Sequence, residues 1–168
     1  MALLEWSDAL SLDLPCMDDT HREFVDLLAC VMEAPDAQLL RAWRQLIAHT
    51  EVHFGQEDRW MQATRFATVN CHSMQHKVVL EVMREGLVQG EAGYLQRVRD
   101  MAAELGPWFL QHAQSMDAAL ALHVRSVGFD PLTGVVASPA ALPATLIQGC
   151  GGSSCSDLPR MASELTHA

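Results

Sequence analysis

Residues 70–83, which read NCHSMQHKVVLEVM, decide the fold class of this chain. They place His72 and His76 four residues apart within a run that has the spacing of an α-helix. Side chains four residues apart lie on one face of a helix, so both imidazoles point the same way. Either a metal ion binds both rings, or both are ordinary surface or hydrogen-bonded histidines. The rest of the chain has to decide between these two interpretations.

The composition is that of a soluble globular protein with a strongly acidic balance. The chain has 168 residues, of which 49% are hydrophobic and 19% are charged. This length predicts one domain that buries about two-thirds of its unfolded surface. Because 11 basic and 21 acidic residues leave a net charge of -10, nucleic acid and anionic membrane surfaces are excluded as expected partners.

The N-terminal segment and the cysteines favour a cytoplasmic location. The segment MALLEWSDAL has no basic region and reaches Glu5 and Asp8 too early for a secretory signal. We find no apolar run near the roughly 20 residues that span a bilayer. Five cysteines are an odd number, and Cys16, Cys30 and Cys71 are scattered through the helical region. This pattern is not that of a disulfide framework.

Four segments have the periodicity of amphipathic helices, and the pattern favours no strand. The first begins near residue 18, where Asp18, Asp19 or Thr20 is the expected N-cap. The other three cover approximately residues 37–61, 71–88 and 94–124. Pro107 lies inside the last segment, and we expect a kink or a restart there. Four helices with short connections predict an all-α, up-down-up-down four-helix bundle.

The character of the sequence changes after Val127. Residues 128–168 are rich in Gly, Pro, Ser and Ala and lack sustained periodicity. We therefore predict a bundle domain over residues 1–127 and a disordered, irregular C-terminal tail over residues 128–168. Cys150 and Cys155 could form a redox pair in this tail, but their spacing is not CxxC, and incidental thiols are the simpler interpretation.

Each of the four predicted helices contains a histidine that could bind a metal, and three of them contain a second histidine or a carboxylate four or five residues further on. Each of the four can point donors into the centre of a bundle. The donors are five imidazoles and two carboxylates, namely His21, His53, Glu57, His72, His76, His112 and Asp117. Dinuclear iron sites in helical bundles are built from these two residue types, and bridging carboxylates offset part of the charge of the two ions. The pattern therefore predicts a dinuclear metal site in the core.

These residues resemble the hemerythrin family, in particular its single-domain bacterial members. The segments HFGQEDRWM, HSMQH and WFLQHAQSMD are similar to the family's H-x3-E, H-x3-H and W…H-x4-D motifs. The N-terminal WSDALSLDLPCMDDTHREFVDLL resembles the family's Trp-containing segment that leads to a first histidine ligand. The resemblance covers about residues 6–124. All seven ligand types occur in the family's order, which a single HxxxH pair would not establish.

The resemblance implies a non-haem di-iron centre joined by an oxo or hydroxo bridge. His72, His76 and His112 would bind one iron, whereas His21 and His53 would bind the other. Glu57 and Asp117 would bridge the two irons. The first iron would then be full, and the second would keep one open position for dioxygen.

Reversible dioxygen binding is therefore the expected function, as a carrier, a store or a local supply rather than as an enzyme. The same centre could instead serve a redox enzyme, such as a peroxidase, a nitric-oxide-reducing protein or an iron-repair factor. A third hypothesis is an oxygen or redox sensor that acts through the tail. No protein partner is identified by the sequence.

Some residues near the motifs leave alternatives open. His112 and Asp117 are five residues apart, about 140° around an ideal helix. Either the carboxylate reaches from the flank of the helix, or the turn is distorted. His49 lies four residues before His53, but we assign it to packing or to a supporting contact. Asp58 is expected to be a surface or supporting acid. Trp108 and Phe54 are possible walls of an oxygen pocket.

Overall fold

The structure is a computed structural model that describes residues 4–66 and 71–147. Its helices are α1 (Pro15–Glu33), α2 (Asp36–Ala63), α3 (Cys71–Glu91), α4 (Leu95–His112) and α5 (Ala118–Ser126). A π-helical turn, Ala113–Asp117, joins α4 to α5, and a short 3-10 helix, Asp8–Leu10, precedes α1. The strands β1 (Phe129–Asp130) and β2 (Val135–Val136) and a 3-10 helix, Pro139–Ala141, follow α5.

The helices form the predicted four-helix bundle, with α4 and α5 together acting as the fourth helix. Each helix packs against the next one in the chain, and α4 closes the ring by packing against α1. No described helix is long and apolar enough to cross a membrane. The all-α fold class is therefore confirmed.

Two details of the helices differ from the sequence predictions. The first helix begins at Pro15, which suits the first turn because a proline there loses no hydrogen bond. Asp18 instead accepts hydrogen bonds from the Ser11 hydroxyl and the Leu12 amide, both at 2.7 Å, and so fixes the preceding loop. The expected restart at Pro107 does not occur, because α4 continues through that residue to His112.

The core consists of two apolar clusters, one on each side of a polar layer. The first cluster includes Phe24, Trp43 and Phe109, and the second includes Trp60 and Leu120. The histidines and carboxylates singled out in the sequence lie between these clusters along α1, α2 and the fourth helix. The bundle therefore places an isolated polar layer within an apolar interior.

The beginning of the predicted tail packs on the bundle. The strands β1 and β2 form an antiparallel hairpin, and Phe129 is buried in the second cluster. The backbone amide of Ile147 donates to the Arg65 carbonyl at 3.2 Å, and the Arg65 guanidinium donates to the Pro143 carbonyl at 3.1 Å. Residues 148–168, with Cys150 and Cys155, lie outside the described residues. The proposed domain boundary at residue 127 stays a prediction.

Two glycines provide a matched test of helix packing. A Cβ added at Gly90 would lie 2.5 Å from Leu40 Cδ2 and 2.8 Å from Val98 Cγ2. At Gly55 the nearest atom, Arg59 Nη1, would be 3.5 Å away, which is ordinary contact. No bulky group approaches Gly55, so its presence in α2 is not explained by packing.

We therefore expect Gly90→Ala and Gly55→Ala to have opposite effects on stability. Gly55→Ala should raise the free energy of unfolding by about 0.5–1 kcal/mol, because alanine is the better helix former. Gly90→Ala should lower the free energy of unfolding. The added methyl group would overpack the contact with Leu40 and Val98, and this cost of roughly 1–3 kcal/mol exceeds the gain in helix propensity. Urea unfolding of both variants measures the difference. Equal effects in the two variants would contradict the close packing of α3 against α2 and α4.

Candidate metal centre

All seven residues predicted as ligands meet in the polar layer between the two clusters. Each of them is at most 2% exposed. Their donor atoms form two groups in which the atoms lie within 4.8 Å of one another. The first group contains Glu57, His72, His76, His112 and Asp117, and the second contains His21, His53, Glu57 and Asp117. The two carboxylates are common to both groups.

The spacing of four residues aligns the donors on α2 and α3. On α2, His53 Nε2 lies 2.9 Å from Glu57 Oε1, one turn further along the same face. On α3, the rings of His72 and His76 are 4.5 Å apart between centroids. This is the arrangement that residues i and i+4 adopt on a regular helix. Local sequence spacing is therefore sufficient for these four residues.

The spacing of five residues between His112 and Asp117 is accommodated by the π-helical turn. A π-helix forms hydrogen bonds between residues five apart, so residues i and i+5 are brought onto one face. The turn occupies Ala113–Asp117, the segment directly between the two donors. As a result His112 Nε2 lies 3.1 Å from Asp117 Oδ1. Of the two alternatives left open by the sequence, the distorted turn is the one observed.

Each carboxylate divides its two oxygens between the two groups. Glu57 Oε2 lies 3.2 Å from both His72 Nε2 and His76 Nε2, whereas Oε1 faces His53 at 2.9 Å and His21 at 3.9 Å. Glu57 is therefore placed between the two sets of imidazoles.

Asp117 has the same disposition as Glu57. Its Oδ1 lies 3.0 Å from His72 Nε2, and its Oδ2 lies 3.3 Å from His21 Nε2. Both carboxylates are thus arranged as bridges between a group of three histidines and a group of two.

The distances between donor atoms fit two six-coordinate metal ions. Donors about 2.1 Å from an ion and at right angles to each other are about 3.0 Å apart. Seven distances between a histidine Nε2 atom and one of the two carboxylates are shorter than 4.0 Å, and six of these lie between 2.9 and 3.3 Å.

Several inward-facing donors also lack another partner. Within the described part of the chain, five of them have no hydrogen-bond partner beyond the other candidate ligands: His21 Nε2, His72 Nε2, Glu57 Oε2 and both oxygens of Asp117. Buried polar groups are normally paired, and metal ligation would satisfy these atoms.

In the metal-free protein, protonated histidines supply the positive charge that metal ions would otherwise supply. Burial alone would lower the pKa of His21, but hydrogen bonds with Asp117 and Glu57 outweigh it and raise the pKa to about 9. The same causes raise the pKa of His72 to about 10. For Glu57, burial is outweighed by the charge of His53 and by hydrogen bonds from three histidines, so its pKa lies well below the usual range.

Aromatic rings surround the donors on the side of the first cluster. Phe54 stacks on the ring of His76 at 3.9 Å, and Trp108 stacks on that of His112 at 4.7 Å. Phe109 meets His21 edge to face at 5.1 Å. Phe54 and Trp108 therefore cover the three-histidine group, and Phe109 covers part of the other.

Two residues contact the outer nitrogens of the predicted ligands. Asp58 Oδ1 lies 3.5 Å from His76 Nδ1, and Gln75 Oε1 lies 3.2 Å from His112 Nδ1. The sequence marked Asp58 only as a surface or supporting acid and did not single out Gln75. Sequence spacing could not predict these two contacts, because they depend on how α2, α3 and α4 pack against one another.

The remaining histidines of the described chain lie outside both groups. His49 contacts the Thr20 carbonyl at 3.2 Å and Glu23 at 3.6 Å, as expected for a packing residue. His123 is partly buried, contacts the Thr64 carbonyl at 2.9 Å and packs against Phe66. His167 lies outside the described residues.

The cysteines differ from the expectation of reduced thiols at one position. Cys16 and Cys30 are free, but Cys71 is disulfide-bonded. Cys71 is the first residue of α3 and directly precedes His72. Sequence separation does not indicate which cysteines approach each other in space, so spacing alone could not anticipate this bond.

We expect metal binding to this site to release protons and to weaken as the pH falls. The pKa values of about 9 for His21 and about 10 for His72 mean that both rings are protonated at pH 7 in the metal-free protein. A metal ligand must be a neutral imidazole, so these protons have to leave. Affinity should therefore rise as the pH is raised from 6 towards 9.

Anaerobic calorimetric titration with Fe²⁺, in buffers that differ in ionisation enthalpy, measures the protons released. His49→Ala should behave as the unaltered protein, because His49 belongs to neither group. Metal binding without proton release in either protein would contradict the protonated state of His21 and His72.

Comparison with known proteins agrees with this geometry. The family model for the hemerythrin HHE cation-binding domain matches residues 14–121. The chain is 36% identical to a bacteriohemerythrin of Ralstonia nicotianae over 130 residues, which are 77% of this chain and 95% of the relative. It is 25% identical to bacteriohemerythrins of Stenotrophomonas maltophilia and Pseudomonas aeruginosa PAO1, across 75% and 74% of this chain and 84% of each relative. No solved structure matches the chain significantly. The chain belongs to the hemerythrin HHE domain family.

Proposed function

We propose that the seven residues hold two iron ions and that the chain binds dioxygen reversibly at one of them. The family membership supports iron, and the paired carboxylates support two ions rather than one. His72, His76 and His112 are assigned to one ion, His21 and His53 to the other, and Glu57 and Asp117 to both.

The unequal number of donors in the two groups is the observation that carries this proposal. Five residues converge on one position and four on the other. One shared oxo or hydroxo bridge would raise these numbers to six and five. An ion that prefers six ligands would then be complete in the group of three histidines. The ion bound by His21 and His53 would have one position free. A site with one vacancy binds a small ligand without losing any protein ligand.

Iron, when bound, supplies an oxygen-binding position that can change its oxidation state. The protein supplies the surroundings of that position. The donor residues are at most 2% exposed, and the neighbouring rings of Phe109 and Phe54 are also buried. Exclusion of water protects a reactive ligand from protonation and hydrolysis. The contribution of the protein is thus to exclude water from the open coordination position.

The position of the nearby acids favours reversible binding over enzymatic turnover. Asp58 contacts His76, which belongs to the three-histidine group, so it is not placed to deliver a proton at the vacancy. Glu23 contacts His49 rather than a predicted ligand. General acid catalysis requires an acid within hydrogen-bond reach of the reacting atom. The described residues therefore support a carrier or a store more than a peroxidase or a reductase.

A cytoplasmic location is part of the proposal, and the disulfide at Cys71 is the observation that tests it. Cytosolic thiols are normally kept reduced, so a lasting disulfide would indicate an oxidising compartment. Trapping thiols with an alkylating reagent in intact cells shows the state of Cys71 directly.

The function is tested by cycling dioxygen over the reduced protein. The purified chain should contain two irons, and dioxygen should give a coloured adduct that bleaches when the solution is purged with inert gas. Rapid conversion to the ferric form with release of peroxide would favour the redox enzyme. A chain purified with zinc, with one metal ion or with none would contradict the di-iron centre.

We expect His76→Ala to lose iron and His49→Ala to keep it. His76 belongs to the three-histidine group, whereas His49 is on the same face of α2 as His53 but outside both groups. Removing one ligand typically weakens metal binding, and the buried Glu57 then loses a partner 3.2 Å away. Iron analysis and absorption spectra of both variants measure the difference. Equal iron content would contradict the ligand assignment.

A further inference from the structure

The outer ring nitrogens (Nδ1) of the five predicted ligand histidines have different surroundings. The Nδ1 atom of His76 faces Asp58 Oδ1 at 3.5 Å, and that of His112 faces Gln75 Oε1 at 3.2 Å. The contact of His76 is an ion pair rather than a regular hydrogen bond, whereas the buried Nδ1 atoms of His21, His53 and His72 have neither a hydrogen bond nor a carboxylate within 4.0 Å among residues 4–66 and 71–147. Both outer contacts therefore belong to the three-histidine group.

We propose that Asp58 and Gln75 are positioning residues that make the three-histidine ion the first to bind and the last to leave. This inference rests on the proposed di-iron function and assigns different roles to the two metal positions. It follows from the one-sided distribution of the outer contacts, since the two-histidine group has none of this kind among the described residues.

The physical reason lies in the imidazole ring itself. An acceptor at Nδ1 fixes the proton on that nitrogen, which leaves the lone pair of Nε2 free for a metal. A carboxylate acceptor also makes the ring a stronger donor and holds its orientation. Outer contacts of this kind are worth roughly 10–100-fold in metal affinity.

Asp58 is well placed to act in this way. Its Oδ1 and His76 Nδ1 are both buried atoms without a regular hydrogen bond in the described chain, and they face each other at 3.5 Å, so a proton between them would satisfy both. The Asp58 side chain as a whole is 44% exposed and also interacts with Ser73. Asp58 directly follows Glu57, so one turn of α2 supplies both a bridging carboxylate and the support for a ligand on α3.

Gln75 makes the equivalent contact to the fourth helix. It lies on α3 next to His76, and its amide oxygen accepts from His112. Its neutral amide is a weaker acceptor than a carboxylate, so the larger effect is assigned to Asp58. Together the two contacts join α2, α3 and α4 around one metal position.

The test is the release of Fe²⁺ from the diferrous protein to an excess of chelator. The unaltered protein should release its two irons in a fast and a slow phase. His53→Ala should remove the fast phase and so assign it to the two-histidine position. Asp58→Asn keeps the shape but removes the charge, and it should accelerate the slow phase roughly 10–100-fold with little change in the fast phase. Asp58→Glu should restore slow release.

Glu23→Gln is the matched control. It removes a carboxylate 3.6 Å from the Nδ1 atom of His49, an imidazole outside both metal groups. Neither phase should change in this variant. Circular dichroism of the metal-free variants shows whether each one folds, so that a loss of fold is not mistaken for faster release.

The outcomes separate this inference from the proposed function. If the unaltered protein does not bind two irons, the di-iron function fails and this inference fails with it. If it binds two irons but Asp58→Asn releases both at the original rates, or accelerates both equally, only the role of Asp58 is overturned.

Discussion

The structure depends on seven ionisable side chains that are buried together at the centre of a small bundle. Burying a charge without a partner costs several kcal/mol, and two buried carboxylates would repel each other. Here each carboxylate has imidazoles on both sides, and the raised pKa values of His21 and His72 supply positive charge when no metal is bound. The apolar clusters above and below the layer keep water out. The same arrangement that isolates the charges therefore creates the need for cations.

The π-helical turn at Ala113–Asp117 is the local irregularity that completes this layer. It adds one residue to a helical turn, so that a donor five residues after His112 comes back to the same face. An unbroken α-helix would place Asp117 well to the side. The turn lies beyond Pro107, which the helix accommodates without interruption. The distortion is therefore found at the metal donors rather than at the residue most often associated with helix breaks.

The two groups of candidate metal ligands differ both in the number of donors and in how those donors are supported. The three-histidine group has stacked aromatic rings and outer contacts from Asp58 and Gln75. The two-histidine group has fewer donors, and Phe109 covers part of it. Under the proposed function, the better supported group would hold a structural ion, and the other group would hold the ion that meets the ligand. This division of roles is a property of packing rather than of any single motif.

The sequence by itself determined the bundle, its four helices and the seven donor residues that the structure brings together. Side-chain periodicity and i, i+4 spacing are local properties that a helix preserves, so they predicted the helices and aligned His53, Glu57, His72 and His76, whereas His21, His112 and Asp117 were assigned through the resemblance to the hemerythrins. The tertiary structure decided how Asp117 returns to the site, which carboxylate oxygen faces which histidines, and which residues support them from outside. It also placed Phe129 in the core and Cys71 in a disulfide, neither of which the sequence predicted. These features arise from contacts between distant segments, and the positions of the contacting residues in the chain do not fix the distances between them in space.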